Sequence, residues 1–183
     1  MHVTPLPGRL TITWLPFPLS VTFSHCRERG DARKRHTQRE GEVDLARVVA
    51  DFADIVPDEM RIVRACRSCG SDRHGKPQVI APSAATPIHV SLGRSGGMTV
   101  VAVTDAGPVG VDVEQIQDQD LAPWVRTESL VKATGHGLTI DPAAITDDRW
   151  TSDLAAPDGY VAAVTILTAT PPRTITNPAA PGA

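Results

Sequence analysis

The chain of 183 residues is short of several things, and each shortage narrows what it can be. It has no excess of basic residues: the formal charge is −3, where a general nucleic-acid binder carries a positive surplus. No apolar run approaches the roughly 18 residues needed to cross a bilayer, so no membrane partner is expected. The one stretch resembling a signal core, Leu10 to Phe23, is broken by Pro16 and Pro18 and preceded by little positive charge. Cysteine is scarce and odd in number (Cys26, Cys66, Cys69), which excludes a disulfide framework and favours a reducing, cytoplasmic setting. Aromatics make up only 4%, yet the apolar share of 41% and charged share of 21% are those of a globular protein.

What is present is a succession of short strands with a few helices. Leu10–Leu15 reads as a strand, and 43–56 as an amphipathic helix, with Leu45, Val48, Val49, Phe52 and Ile55 at three- and four-residue steps. Residues 60–63, 89–92, 98–104, 137–140, 149–154 and 160–167 have strand character. Residues 24–42 are basic without an apolar stripe and read as a solvated loop. The Pro- and Ala-rich end, 168–183, reads as a disordered tail.

The stretch GPVGVDVE at 107–114 organises the rest. Side chains alternate along a strand, so Val109, Val111 and Val113 share one face, and Gly110, Asp112 and Glu114 the other. Two carboxylates two residues apart lie roughly 7 Å from one another, within reach of one hard cation such as Mg²⁺. The alternative is an edge strand with a solvated acidic face. Strand 98–104 and this strand read as a hairpin turned at Asp105–Pro108. In the helix expected over 121–134, Trp124, Glu128 and Lys132 follow at four-residue steps, which puts a second carboxylate source and an amine on one stripe beside a bulky, partly buried Trp. Gly135 is placed to cap that helix.

Two other segments invite ligands. Strand 89–92 followed by GRSGG at 93–97 suggests a turn whose amides and guanidinium suit a phosphate. Cys66-x-x-Cys69 followed by His74 suggests zinc. A closed structural site needs four ligands, however, and Cys26 and His89 lie at unsuitable separations, so a plain turn is the expectation and no zinc is expected.

HGKP at 74–77, VSLGRSGG at 90–97, GPVGVDVE at 107–114, WVRTESLVKATGHGL at 124–138 and GYVAAV at 159–164 occur in an order that resembles the 4′-phosphopantetheinyl transferase superfamily. The resemblance implies an α+β fold of two similar small α/β lobes, residues 1–104 and 105–167, with coenzyme A between them. It also implies a monomer that moves the phosphopantetheine arm of coenzyme A to a serine of an apo acyl or peptidyl carrier protein and releases 3′,5′-ADP. Carried over by motif, Asp112, Glu114 and Glu128 would hold Mg²⁺, and Glu128 and Lys132 would be catalytic. Lys76, Gly93, Arg94 and Ser95 would hold the coenzyme A phosphates. The chain departs from the family where Gly93-Arg94 replaces the usual Ser-His, and where Thr127 replaces a Lys beside the helix glutamate, with Arg126 as its nearest substitute. Those departures keep open an alternative, a degenerate module that binds coenzyme A or a carrier domain without transfer.

Overall fold

The structure is a computed structural model and describes residues 8–16, 45–67 and 69–176, apart from the Leu138 side chain. The basic run 24–42 lies outside the described residues. Among the described residues, two sheets and two α-helices make a mixed α+β fold. In chain order, β1 is Arg9–Pro16, α1 spans 45–53, β2 is Arg61–Arg64 and β3 is Pro77–Ile80. Then come β4 (His89–Ser95), β5 (Met98–Thr104), β6 (Val109–Gln115) and α2 (Ala122–Thr134). The chain ends with β7 (Trp150–Asp153), β8 (Tyr160–Ile166) and β9 (Thr174–Thr176).

A six-stranded sheet has the order β2-β3-β4-β5-β1-β9, and a three-stranded sheet the order β6-β8-β7. The sheets pack face to face through one apolar cluster. Leu10, Ile12 and Trp14 of β1 and Val100 and Ala102 of β5 meet Val109, Val111 and Val113 of β6 and Ala162, Val164 and Ile166 of β8. Strand alternation sends Val90, Val101 and Val103 to the other face of the large sheet, where Leu45, Val49 and Ala50 of α1 cover them. The small sheet is covered on its outer face by α2. Ser129 Oγ meets Thr165 Oγ1 of β8 at 2.8 Å, and Val125 of α2 is fully buried. The result, among the described residues, is four layers, helix–sheet–sheet–helix.

Several sequence expectations give way here. Strands β5 and β6 are not a hairpin. β5 pairs with β4 and β1, whereas β6 pairs with β8 in the other sheet. Residues 105–108 turn the chain from one sheet to the other, and the corner is fastened. Asp105 bonds the backbone and guanidinium of Arg9, and Gly107 has φ of 148°, with Leu167 O only 2.6 Å from where a Cβ would stand. The strand expected over 89–92 runs on through Gly93, Arg94 and Ser95, and only Gly96-Gly97 form the turn, with Ser95 opposite Met98. Residues 137–139 form a 3-10 turn rather than a strand.

The expected tail is also partly ordered. Thr174–Thr176 pair parallel with Arg9–Thr11, and Arg173 N–H donates to Gly8 O at 2.9 Å. The outer edge of β1 offered unpaired amides and carbonyls, and a Thr-Ile-Thr segment has the β-branched character to use them.

Candidate functional site

The site is built where three elements cross. Gly110 on β6 faces α2 so closely that a Cβ there would stand 1.9 Å from Ser129 O and 2.4 Å from Ala133 N. Only glycine lets the helix backbone rest on the strand, and that contact sets Glu128 and Lys132 over Asp112. On the other side, β4 crosses the unpaired edge of β6 at Gly93, whose Cβ would be 3.0 Å from Asp112 Cα. Small residues at every second position of β4 make this crossing possible. Ser91 Oγ accepts from Val111 N–H and Ser95 Oγ from Gln115 N–H, both at 3.1 Å, so edge amides of β6 are satisfied by side chains instead of a neighbouring strand.

The acidic face of β6 is therefore not a solvated edge. Asp112 is 4% exposed. Its Oδ1 receives Lys132 Nζ at 2.5 Å, while Oδ2 is buried without a hydrogen-bond partner. Glu128 Oε1 is likewise buried and unpartnered. Burial pushes the Asp112 carboxyl above its ordinary range; Lys132 opposes that push and Glu114 adds to it. Glu128 is also raised, first by burial and then by the Asp112 charge, with Glu114 adding and Lys132 opposing. The Glu114 charge thus acts on both Asp112 and Glu128, and one ammonium is set against those two. Glu114 is half-buried, and its Oε2 accepts from Ser95 Oγ at 2.7 Å.

The structure brings Asp112, Glu114, Glu128, Lys132 and Ser95 to one place, but not the other predicted residues. Gly93 is buried at the strand crossing and is not part of a phosphate-binding turn. Arg94 alternates to the opposite face of β4 from Ser95, the face on which Val90 packs toward α1. Lys76 sits at the far end of α2, where its Nζ donates to Ala133 O and its side chain packs on Gly135, the left-handed cap residue with φ of 75°. Burial, together with the nearby Arg67 charge, lowers the Lys76 amine to about 8. Burial and then Lys76 also lower His89. Arg126, the substitute for a family lysine, makes an exposed two-bond contact with Asp153 at 2.7 and 2.5 Å instead of reaching the carboxylates.

Trp124, expected to be partly buried, is 45% exposed. It lines an open cleft of about 630 Å³ with Glu114, Gln115, Leu121, Pro123 and Thr127, which runs up to the edge of the carboxylate group. Ser91 and Gly110 were missed as site-building residues. The small–x–small–x–small spacing of Ser91, Gly93 and Ser95 was the available signal, and reading 93–97 as a turn concealed it.

Among the described residues, the ligand atoms that come within 4.8 Å of one another as a set of three belong to Cys66, Cys69 and His74, not to the three acids. Also among the described residues, no helix is long and apolar enough to cross a membrane. No protein-family model matches the chain, and no curated protein matches it.

Proposed function

We propose that the chain is a Mg²⁺-dependent 4′-phosphopantetheinyl transferase that modifies a serine of an apo acyl or peptidyl carrier protein with the arm of coenzyme A. The observation that carries this reading is the pair of buried, unpartnered oxygens, Asp112 Oδ2 and Glu128 Oε1, beside Lys132. A buried carboxylate oxygen without a donor is costly, and a hard cation is the partner that suits it. Asp112, Glu128 and Glu114 would hold the ion. When bound, it would screen the coenzyme A pyrophosphate from the acids and offset charge on the transferred phosphoryl group.

The chain's own residues would supply the remainder. Glu128, whose carboxyl burial and the Asp112 charge push above its ordinary range, would take the serine proton as the serine oxygen bonds phosphorus and the phosphorus–oxygen bond to 3′,5′-ADP breaks. Lys132 Nζ would leave Asp112 to stabilise the departing oxygen. Ser95, by donating to Glu114, would fix that carboxylate's orientation. The cleft beside Trp124 and Thr127 would take the coenzyme A arm or the carrier's serine loop. The two helix-backed sheets would be the two lobes of the family fold, working as a cytoplasmic monomer.

A second reading, a module that binds coenzyme A or a carrier without transfer, draws support from the direct Lys132–Asp112 ion pair, in which an ammonium already meets one acid. Intact-mass measurement of apo carriers after incubation with coenzyme A and Mg²⁺ separates the two. Transfer adds the phosphopantetheine mass and releases 3′,5′-ADP, whereas binding by calorimetry without either product selects the module.

A further inference from the structure

The connection between β2 and β3 closes on itself. Arg64 and Pro77 are paired across the hairpin, so the described residues 65–67 and 69–76 belong to the loop that joins them. Cys66 N–H donates to Ser71 O at 2.9 Å, and Gly70 N–H donates back to Cys66 O at 2.8 Å, so the chain after Cys69 turns back on Cys66 as a tight knuckle. Gly70, just after Cys69, has φ of 70°, a conformation that L side chains rarely adopt. At the other end, Gly75 has φ of 108° and lies so near the start of the loop that a Cβ would be 2.7 Å from Ala65 O and 2.9 Å from Cys66 N. Arg64 Nη1 donates to Gly75 O at 2.9 Å and holds that approach.

The consequence is chemical. His74 is carried back over the knuckle, with its Nε2 3.3 Å from Cys69 Sγ, and the ligand atoms of Cys66, Cys69 and His74 all fall within 4.8 Å of one another. Tetrahedral zinc with ordinary Zn–S and Zn–N bonds holds a sulfur and a nitrogen about 3.6 Å apart, so only a small adjustment is needed. Both cysteines are thiols, not disulfide partners. Counting ligands along the sequence argued against zinc because a fourth was missing, but a site with three protein ligands and one open position is also a zinc arrangement.

We infer that Cys66 Sγ, Cys69 Sγ and His74 Nε2 bind one Zn²⁺ ion, with the fourth position toward solvent on the side of the exposed Cys69. Two thiols and an imidazole select a borderline-soft metal over Mg²⁺ or Ca²⁺, and the thiols release their protons as the metal enters. The site stands apart from the carboxylates of β6. The same loop sends Lys76 to Ala133 O and Arg67 to His136 Nε2 at 2.9 Å, two ties to the C-terminal end of α2. The site does not depend on the proposed transfer reaction.

The test uses the full chain, kept reduced, stripped of metal by a chelator and titrated with Co²⁺ and then Zn²⁺. The expected result is a thiolate-to-cobalt charge-transfer band that saturates at one equivalent, is bleached by Zn²⁺ and is unaffected by excess Mg²⁺. Cys66→Ser and His74→Ala should each weaken Co²⁺ binding by more than about 100-fold, beyond what loss of an outer-shell partner does. Asp112→Ala should leave the stoichiometry unchanged, which separates this site from the acids. Because the first arm needs no variant, a misfolded substitution cannot mask the answer. Absence of the charge-transfer band, or a Cys66–Cys69 disulfide persisting under reducing conditions, would overturn the assignment.

Discussion

The groove between β6 and α2 and the loop between β2 and β3 each gather three ligand-bearing side chains, and they do it in opposite ways. In the groove the candidate ligands are hard oxygens taken from a strand and a helix, buried at Asp112 Oδ2 and Glu128 Oε1 and near enough for their charges to interact, but not drawn into one tight set. In the loop they are two sulfurs and a nitrogen from nine consecutive positions, Cys66 to His74, partly exposed yet already close together. Local turns close the second group, because two left-handed glycines and two short backbone bonds suffice. The first group depends on tertiary packing, namely the helix resting on Gly110 and β4 crossing at Gly93. A cluster closed by local turns can stand ready without its ion. Buried acids repel one another, so a counter-charge has to draw them in, and Lys132 supplies part of it.

The sharpest way to break the groove while leaving the loop's own turns intact is Gly110→Ala. The new Cβ collides with α2 backbone, not with a pliable side chain, so the helix must move. The expected cost exceeds about 4 kcal/mol in denaturant unfolding, in the range reserved for severe core damage. Next is Asp112→Ala. On the proposed function it should lower phosphopantetheine transfer by at least about 10³-fold, since Lys132 and the proposed ion would both lose their shared partner. Steady-state release of 3′,5′-ADP measures it.

A smaller effect joins the two regions through Lys76, which links the loop to the end of α2. Its amine is lowered from 10.5 to about 8 in the folded protein. Between those values the unfolded chain holds more protons, so stability attributable to Lys76 rises as pH rises from 8 to 10.5 and is level below that window. Chemical unfolding across this range should show the rise in the parent protein and a flatter profile in Lys76→Met. Smallest of all is Arg126→Ala. Its contact with Asp153 is solvent-exposed, and both transfer rate and unfolding midpoint should stay within error. A large loss of activity there would mean that Arg126 serves the groove after all.

Much of the local structure was legible because hydrophobic period identifies a strand or helix without its neighbours. β1, α1, β7, β8 and α2 all fall near their expected places, as does the Gly135 cap. Pairing was less legible. The turn Asp105–Pro108 reads as a hairpin, but whether a turn returns to the same sheet is decided by the distant strands on either side, β1 beside β5 and β8 beside β6. Gly93 shows the same limit from another side. In sequence it begins a Gly-rich turn, whereas here it lies in a strand and, like Gly110, which the sequence already places on a strand, marks a place where two backbones touch. Spacing showed Asp112 and Glu114 on one strand face and Glu128 and Lys132 on one helix stripe; that the two pairs meet was implied by the resemblance. That Ser95 would orient Glu114, and that Trp124 would face a cleft instead of the core, depends on how β4 and α2 cross β6.

The most direct test of the account is the intact mass of a panel of apo acyl and peptidyl carrier proteins after incubation with this protein, coenzyme A and Mg²⁺. A gain of one phosphopantetheine on at least one carrier, lost with Asp112→Ala and with chelation of Mg²⁺, is the predicted result. Unmodified carriers throughout the panel, with coenzyme A nonetheless bound to the protein, would contradict it.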